Sequence, residues 1–253
     1  MATTTRTQAE ATEAARKGAI TVEAAAATVA GADPQAVTQN RALLQMQLGG
    51  ARPVFLSQVH GVEVAQLNAA TRDGTKADAC LTQAPRVACT IMAADCLPIL
   101  VCHPRAKWVA GAHAGWRGLA GTRGHGVVET LAQAALLAGL HPQDCLVWLG
   151  PCIGPTAFEV GADVHAAFEN VLQTSDKPAN LFVPTSSTKY LADLAGLARE
   201  RLKLAGFKAI YGNDSSLPWC TYRQDTTYHS HRRDAVAKGG SGRMAAYIWL
   251  RPD

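Results

Sequence analysis

Residues 86–118 read RVACTIMAADCLPILVCHPRAKWVAGAHAGWRG. Within them lie three short apolar runs, Arg86–Ala93, Pro98–Cys102 and Lys107–His113, broken by Asp95, Pro98 and Pro104. Apolar runs this short, bounded by proline and polar breaks, suit buried strands better than helices. A sheet at the centre of the molecule is therefore the first expectation.

Working outward, Pro53–Val59 and Val62–Leu67 read as two further strands meeting at a turn or bulge at His60-Gly61. Downstream, the glycine-rich stretch GLAGTRGHG leads into Val127–Leu137, which reads as a helix ending at Gly139. Leu146–Leu149 reads as a strand stopped by Gly150-Pro151. Val164, Phe168, Val171 and Leu172 keep helical spacing, as do Leu191, Leu194, Ala198 and Leu202, with Gly206 as the C-terminal stop. Met244–Leu250 reads as a final buried strand. No internal repeat is visible. This mixture predicts one α/β domain of the α+β type over residues 33–253, with a large mixed sheet covered by helices. Residues 1–32 are Ala/Thr-rich and are expected to form a mobile or weakly helical leader.

Composition bounds the function. The chain has 253 residues, 48% of them hydrophobic and 17% charged, which is globular and excludes a disordered or collagen-like chain. A net charge of +4 permits an anionic small substrate but is weak support for nucleic-acid binding. No apolar run reaches about 18 residues, so no membrane helix is expected. Glu23 interrupts the stretch that could serve as the apolar part of a signal peptide. The 7 cysteines are an odd number with no CxxC pair, which favours a reduced, cytoplasmic setting.

Three segments place a metal-capable side chain beside a residue that bends the chain: Ser57-Gln58-Val59-His60-Gly61, Ala94-Asp95-Cys96-Leu97-Pro98 and Ala112-His113-Ala114-Gly115-Trp116-Arg117-Gly118. Two imidazoles and one thiolate would make a three-ligand zinc set with a fourth position open. Their spacing matches no general zinc pattern, and the bland alternative stands beside it: hydrogen-bonded structural histidines and a small buried cysteine.

The segments SQVHG, ADCLPIL, AHAGWRG, WLGPCIGPTAFEVG and SHRRD…GRMAAYIWL, in this order, resemble the motifs of the YfiH-like family across roughly residues 33 to 251. Its members are described as purine nucleoside phosphorylases with adenosine deaminase activity and were formerly labelled laccase-domain or polyphenol oxidase. The resemblance implies a single layered αββα domain with mixed sheets. It implies a zinc site at His60, Cys96 and His113, copper being the lesser choice, and deamination by a metal-activated water. The implied partners are a nucleoside and phosphate, with no nucleic acid and no membrane. The family's N-terminal Thr-Arg-x-Gly-Gly and Leu-Asn-Leu-Gly segments are not visible before Asp33. Thr122–Gly126 and Ala237–Gly242 look longer than usual, and His231 stands where an aromatic is common.

The chemistry assigns further expectations. Phosphorolysis needs cations for phosphate, and Arg117, Arg41 and Arg233 are the candidates, since a guanidinium fork grips phosphate oxygens bidentately. Arg117 and Asp95 are the expected catalytic groups, Asp95 as a general base or as the group that orients the water. Gln58 shares the face of His60 in a strand and is expected to touch substrate. Phe158 and Glu159 are expected to line a base pocket. Each has a structural alternative: a salt-bridged arginine, a turn-capping aspartate, a packed strand end. Other function classes are a copper polyphenol oxidase, a metal-free cysteine hydrolase using Cys96 with His113, and a non-catalytic interaction protein. Eight histidines in all poorly supply a multicopper centre.

Overall fold

The computed structural model describes residues 20–30, 34–176 and 178–251. Two mixed sheets pack face to face, each backed by helix. The first has strand order β1-β13-β5-β2, from β1 (Ile20–Ala30), β13 (Arg243–Leu250), β5 (Val87–Ala93) and β2 (Arg52–Phe55). The second has order β12-β8-β6-β7-β4-β3, from β12 (Ala209–Gly212), β8 (Leu146–Leu149), β6 (Leu97–Cys102), β7 (Val109–Ala114), β4 (Ala79–Thr82) and β3 (Val64–Gln66). A small third sheet, β10-β11-β9, joins Phe182–Pro184, Lys189–Ala192 and Glu159–Gly161.

The period-two alternation of side chains sorts each strand between two cores. Cys89 and Ile91 of β5 and Ala246, Ile248 and Leu250 of β13 point between the sheets, where they meet Leu100 and Cys102 of β6 and Val109 of β7. The opposite faces of the same strands, Ala88, Tyr247 and Trp249, pack under Leu44 of helix α1 (Pro34–Gln47). On the second sheet, Leu97, Ile99 and Val101 of β6 and Ala110, Ala112 and Ala114 of β7 face outward onto helices. There they meet Val127, Val128, Leu131, Ala132 and Ala135 of α3 (Val127–Leu137). They also meet Leu194, Leu197, Ala198 and Leu202 of α6 (Leu194–Leu204). The layers are therefore α, β, β, α, as the resemblance implied. Strands buried on both faces read as continuous apolar runs, which is why residues 86–118 were legible as strands.

Two expectations are corrected. Residues 1–32, expected as a mobile or weakly helical leader, include a strand: Ile20–Ala30 pairs antiparallel with β13, from Ile20 opposite Leu250 to Ala25 opposite Ala245. Alanine favours helix in isolation, but pairing with β13 overrides that preference. The rest of the expected leader, residues 1–19 and 31–32, lies outside the described residues. Val164–Leu172 is not one helix but two, α4 (Ala162–Ala167) and α5 (Glu169–Thr174), divided at Phe168, whose φ of −111° and ψ of 14° break the ladder. Phe168 is fully buried in the helix-side core, so packing of its ring takes precedence over helix continuity.

No helix among the described residues is long and apolar enough to cross a membrane. The two sheets approach closely at Gly111, where a Cβ would stand 3.0 Å from Ile91 Cγ1 and 3.3 Å from Leu100 Cδ2. Gly111→Val should therefore destabilise the domain by roughly 1–3 kcal/mol through overpacking, read as a lowered urea midpoint with an unchanged slope.

Candidate metal centre

The β6–β7 hairpin register places two of the expected ligands side by side. Leu97 lies opposite Ala114 and Pro98 opposite His113, so Cys96, one residue before β6, stands at the same end as His113, near the end of β7. The β4–β7 register sets Ala79 opposite Ala112, which places Asp78 beside His113; the His113 amide donates to the Asp78 carbonyl at 2.7 Å.

His60 arrives from another part of the chain and is held by the same aspartate. Asp78 Oδ2 accepts the amides of Val59 at 3.0 Å and Gly61 at 2.7 Å, and Oδ1 accepts the amide of His60 at 2.8 Å. These bonds stabilise a turn in which His60 takes a φ of 62°, a left-handed conformation that costs a non-glycine residue about 1–3 kcal/mol. Gln58 adds a clamp: its Nε2 donates to the Met92 carbonyl at 2.6 Å and its Oε1 accepts the Met92 amide at 2.8 Å. The turn is thus pinned to both sheets. Glycines make the approach possible. A Cβ on Gly115 would stand 2.6 Å from His60 Cδ2 and 3.0 Å from Cys96 Sγ, and one on Gly118 would stand 2.8 Å from the Gly61 carbonyl.

The result is a cluster in which the donor atoms of His60, Cys96 and His113 all lie within 4.8 Å of one another. His60 Nε2 is 3.6 Å from Cys96 Sγ, close to the separation of about 3.5 Å that zinc–sulfur and zinc–nitrogen bonds impose at a tetrahedral angle. The His113 and His60 rings stand edge to face at 4.8 Å. His113 Nδ1 donates to Asp78 Oδ1 at 2.9 Å, leaving Nε2 as the ligating atom. A carboxylate on the far nitrogen is the usual support of a metal-bound imidazole. His113 and Asp78 are buried, whereas His60 is exposed and Cys96 half-buried, so the cluster opens toward solvent on one side.

Electrostatics prepare the donors. Burial alone would raise the Cys96 thiol, but hydrogen bonds and charge from His113 and His60 outweigh it and bring it down to about 7. Burial would lower His113, but Asp78 and Cys96 raise it to about 9. Burial likewise opposes the Asp78 carboxylate, which its bonds to His113, Gly61 and Val59 hold below the ordinary value. Without metal, Cys96 is drawn toward the thiolate and His113 toward the imidazolium above the Asp78 carboxylate, and a metal binds there by displacing protons. The other free cysteines, at 80, 89, 102, 145, 152 and 220, are buried.

The remaining sequence-named residues divide. Arg117 is exposed on the short helix α2 (Trp116–Ala120), its guanidinium 4.5 Å over the Trp116 ring. Asp95 is buried, and its oxygens accept Thr221 Oγ1 at 2.6 Å, Ser230 Oγ at 3.0 Å and the Arg232 amide at 2.6 Å. Arg41 lies 4.0 Å over the Phe55 ring and 3.7 Å from Asp73. Arg233 sits on helix α7 (His231–Lys238) and has all its N–H groups engaged: on the carbonyls of Thr221, Tyr222 and Tyr228 and on both oxygens of Asp234. Phe158 is buried in the helix-side core, and Glu159 is exposed and paired with Lys189 at 2.8 Å. Both polar ends of Gln58 are occupied by Met92. Sequence reasoning missed Asp78. No spacing rule singles it out, because only the β4–β7 register shows which carboxylate meets His113.

The chain is similar to known proteins over most of its length. A family described as multi-copper polyphenol oxidoreductase laccase matches residues 3–251, reaching back through the stretch expected as a leader. Purine nucleoside phosphorylase YfiH of Escherichia coli (strain K12) is 41% identical over 222 residues, 87% of this chain and 83% of that one. A Pseudomonas aeruginosa purine nucleoside phosphorylase is 40% identical over 220 residues, 87% and 82% of the two chains. A crystal structure from Neisseria meningitidis matches with a TM-score of 0.74 at 38% identity, covering 88% of this chain and 84% of that one. The crystal structure of YlmD from Geobacillus stearothermophilus matches with a TM-score of 0.77 at 30% identity, covering 88% and 83%.

Two measurements probe the centre. Asp78→Asn cannot accept all four N–H donors, and it should lower metal affinity about 10–100-fold in a chelator competition. In metal-stripped protein, alkylation should fall selectively on Cys96 and rise with pH about a midpoint near 7, because a lowered thiol pKa puts the thiolate within reach below the ordinary range. Tryptic mapping after iodoacetamide at stepped pH reads both.

Proposed function

The chain belongs to the multi-copper polyphenol oxidoreductase laccase family, alongside relatives named purine nucleoside phosphorylase, and from that membership we propose that it is a zinc-dependent purine nucleoside phosphorylase that also deaminates adenosine. The observation that carries the reading is the His60–Cys96–His113 cluster, opening to solvent and supported by Asp78. Three nitrogen and sulfur donors with an open position fit the ligand set of a catalytic zinc. When bound there, zinc supplies Lewis acidity and lowers the pKa of a coordinated water toward about 7.

The family description speaks of copper, and two histidines with a cysteine do match the equatorial ligands of a blue copper site. An oxidase also needs a histidine-rich trinuclear centre. His103, His125, His141, His165, His229 and His231 form no second group of three metal-capable side chains among the described residues. His103 Nδ1 instead accepts the amides of Arg105 and Ala106, and His165 stacks on Tyr190.

In the proposed phosphorolysis, a phosphate oxygen bonds to C1′ of the ribose as the C1′–N9 bond breaks. The electron pair leaves with the purine, which takes up a proton. Deamination exchanges the C6 amino group for the oxygen of water and releases ammonia. Arg117, exposed and four residues beyond His113, is proposed for the phosphate. Asp78 holds the proton on His113 Nδ1 throughout, fixing which nitrogen faces the centre. Asp95 and Gln58 are proposed as positioning residues rather than as base and substrate contact, since their polar atoms already hold the loops around the cluster. Phe158 and Glu159 remain proposed walls of the base pocket, and the setting is proposed to be cytoplasmic.

One observation favours a second reading. A thiol lowered to about 7 beside His113 is also a competent nucleophile, so a metal-free hydrolase would keep its activity in chelator and lose it in Cys96→Ser.

The test is zinc-loaded protein with adenosine, with and without phosphate, following adenine and inosine separately. Adenine should appear only with phosphate and inosine in either condition, and His60→Ala, Cys96→Ala and His113→Ala should each lower both by at least about 100-fold. Absence of both products from the wild type would overturn the proposal.

A further inference from the structure

Of the paired arginines in SHRRD, the geometry points to Arg232, not Arg233, as a side chain that receives the anionic part of the substrate alongside Arg117, with Asp95, the neighbour of Cys96, as the positioning residue that holds its backbone. This rests on the phosphorolysis reading, in which the anion is inorganic phosphate.

Arg233 has no N–H left for a ligand, since its donors close the loop of Thr221, Tyr222 and Tyr228 and the Asp234 carboxylate. Arg232 is the opposite case. It is exposed, and among the described residues its guanidinium makes one hydrogen bond, from Nη1 to the Glu159 carbonyl at 3.2 Å. Its Cζ lies 5.8 Å from the centre of the Phe158 ring. The carbonyl contact and the neighbouring ring leave most of the donors of the fork available, which is what bidentate oxyanion binding needs. The nearby Glu159 carboxylate is already paired with Lys189, so its charge is offset where an anion would approach.

Asp95 supplies the connection to the metal. It directly precedes Cys96 in the turn between β5 and β6 and takes a φ of 84°. Its Oδ2 accepts both the Arg232 amide and the Ser230 hydroxyl that caps α7, while its carbonyl accepts the Ile153 amide at 2.9 Å. One buried carboxylate therefore ties the backbone of Arg232 to the backbone of a metal ligand. A left-handed aspartate is a strained choice, and it persists here because four partners, from two loops and the first turn of α7, over-determine it.

The experiment uses the full chain loaded with zinc. Arg232→Ala should raise the KM for phosphate about ten- to a hundredfold while metal stoichiometry and the nucleoside KM stay unchanged, and Arg232→Lys should recover part of the loss. Asp95→Asn should raise the phosphate KM in the same direction, and the double variant should be no worse than the stronger single one, because both act through one side chain. Calorimetric titration with inorganic phosphate alone reads the same contact without turnover, so it tests Arg232 even if phosphorolysis itself is absent. Unchanged phosphate binding in Arg232→Ala overturns the inference. So does a parallel rise in nucleoside KM with loss of metal, which would make Arg232 a structural strap.

Discussion

The buried carboxylate of Asp78 is the constraint on which the site depends. It accepts three consecutive amides of the 59–61 turn and the Nδ1 proton of His113. It therefore holds two of the three metal-capable side chains, one through the backbone and one through the ring. A buried carboxylate without partners would be costly, but four donors, one of them a cationic imidazolium, satisfy both oxygens. It stabilises the strained φ of His60 and, together with Cys96, raises the pKa of His113.

The sandwich makes that arrangement rigid. Asp78 stands at the start of β4, His113 near the end of β7 and Cys96 at the entry to β6, all in one sheet of fixed register. The other sheet enters through Gln58, which extends the Met92 backbone of β5 as if by one more rung. Small residues permit the contacts: Gly111 lets the sheets close, and Gly115 and Gly118 let the His60 turn lie against the β7–α2 corner.

Several polar residues near the centre act on the protein rather than on a ligand. Asp95, Gln58 and Arg233 share one feature, which is that the polar atoms of each side chain already have partners within the protein. Residue type and adjacency mark such groups as candidates for chemistry, and they would serve as well for catalysis as for support. The hydrogen-bond partners separate the two roles, and by that measure Arg117, four residues beyond His113, and Arg232, bonded through its amide to Asp95, are exposed cations with donors to offer.

What local order could decide, it decided: the strands of residues 86–118 from their apolar runs, helix α3 from its periodicity, and the three chain-bending segments that carry His60, Cys96 and His113. These are properties of neighbouring residues, and periodicity and turn chemistry report them directly. Strand β1 was hidden because an alanine-rich stretch becomes extended only through its partner β13. Asp78 was hidden because one acidic residue before a strand looks like any other. Its meeting with His113 depends on the register of strands distant in sequence, and the choice between Arg232 and Arg233 depends on which of two adjacent side chains the tertiary fold had already filled with partners.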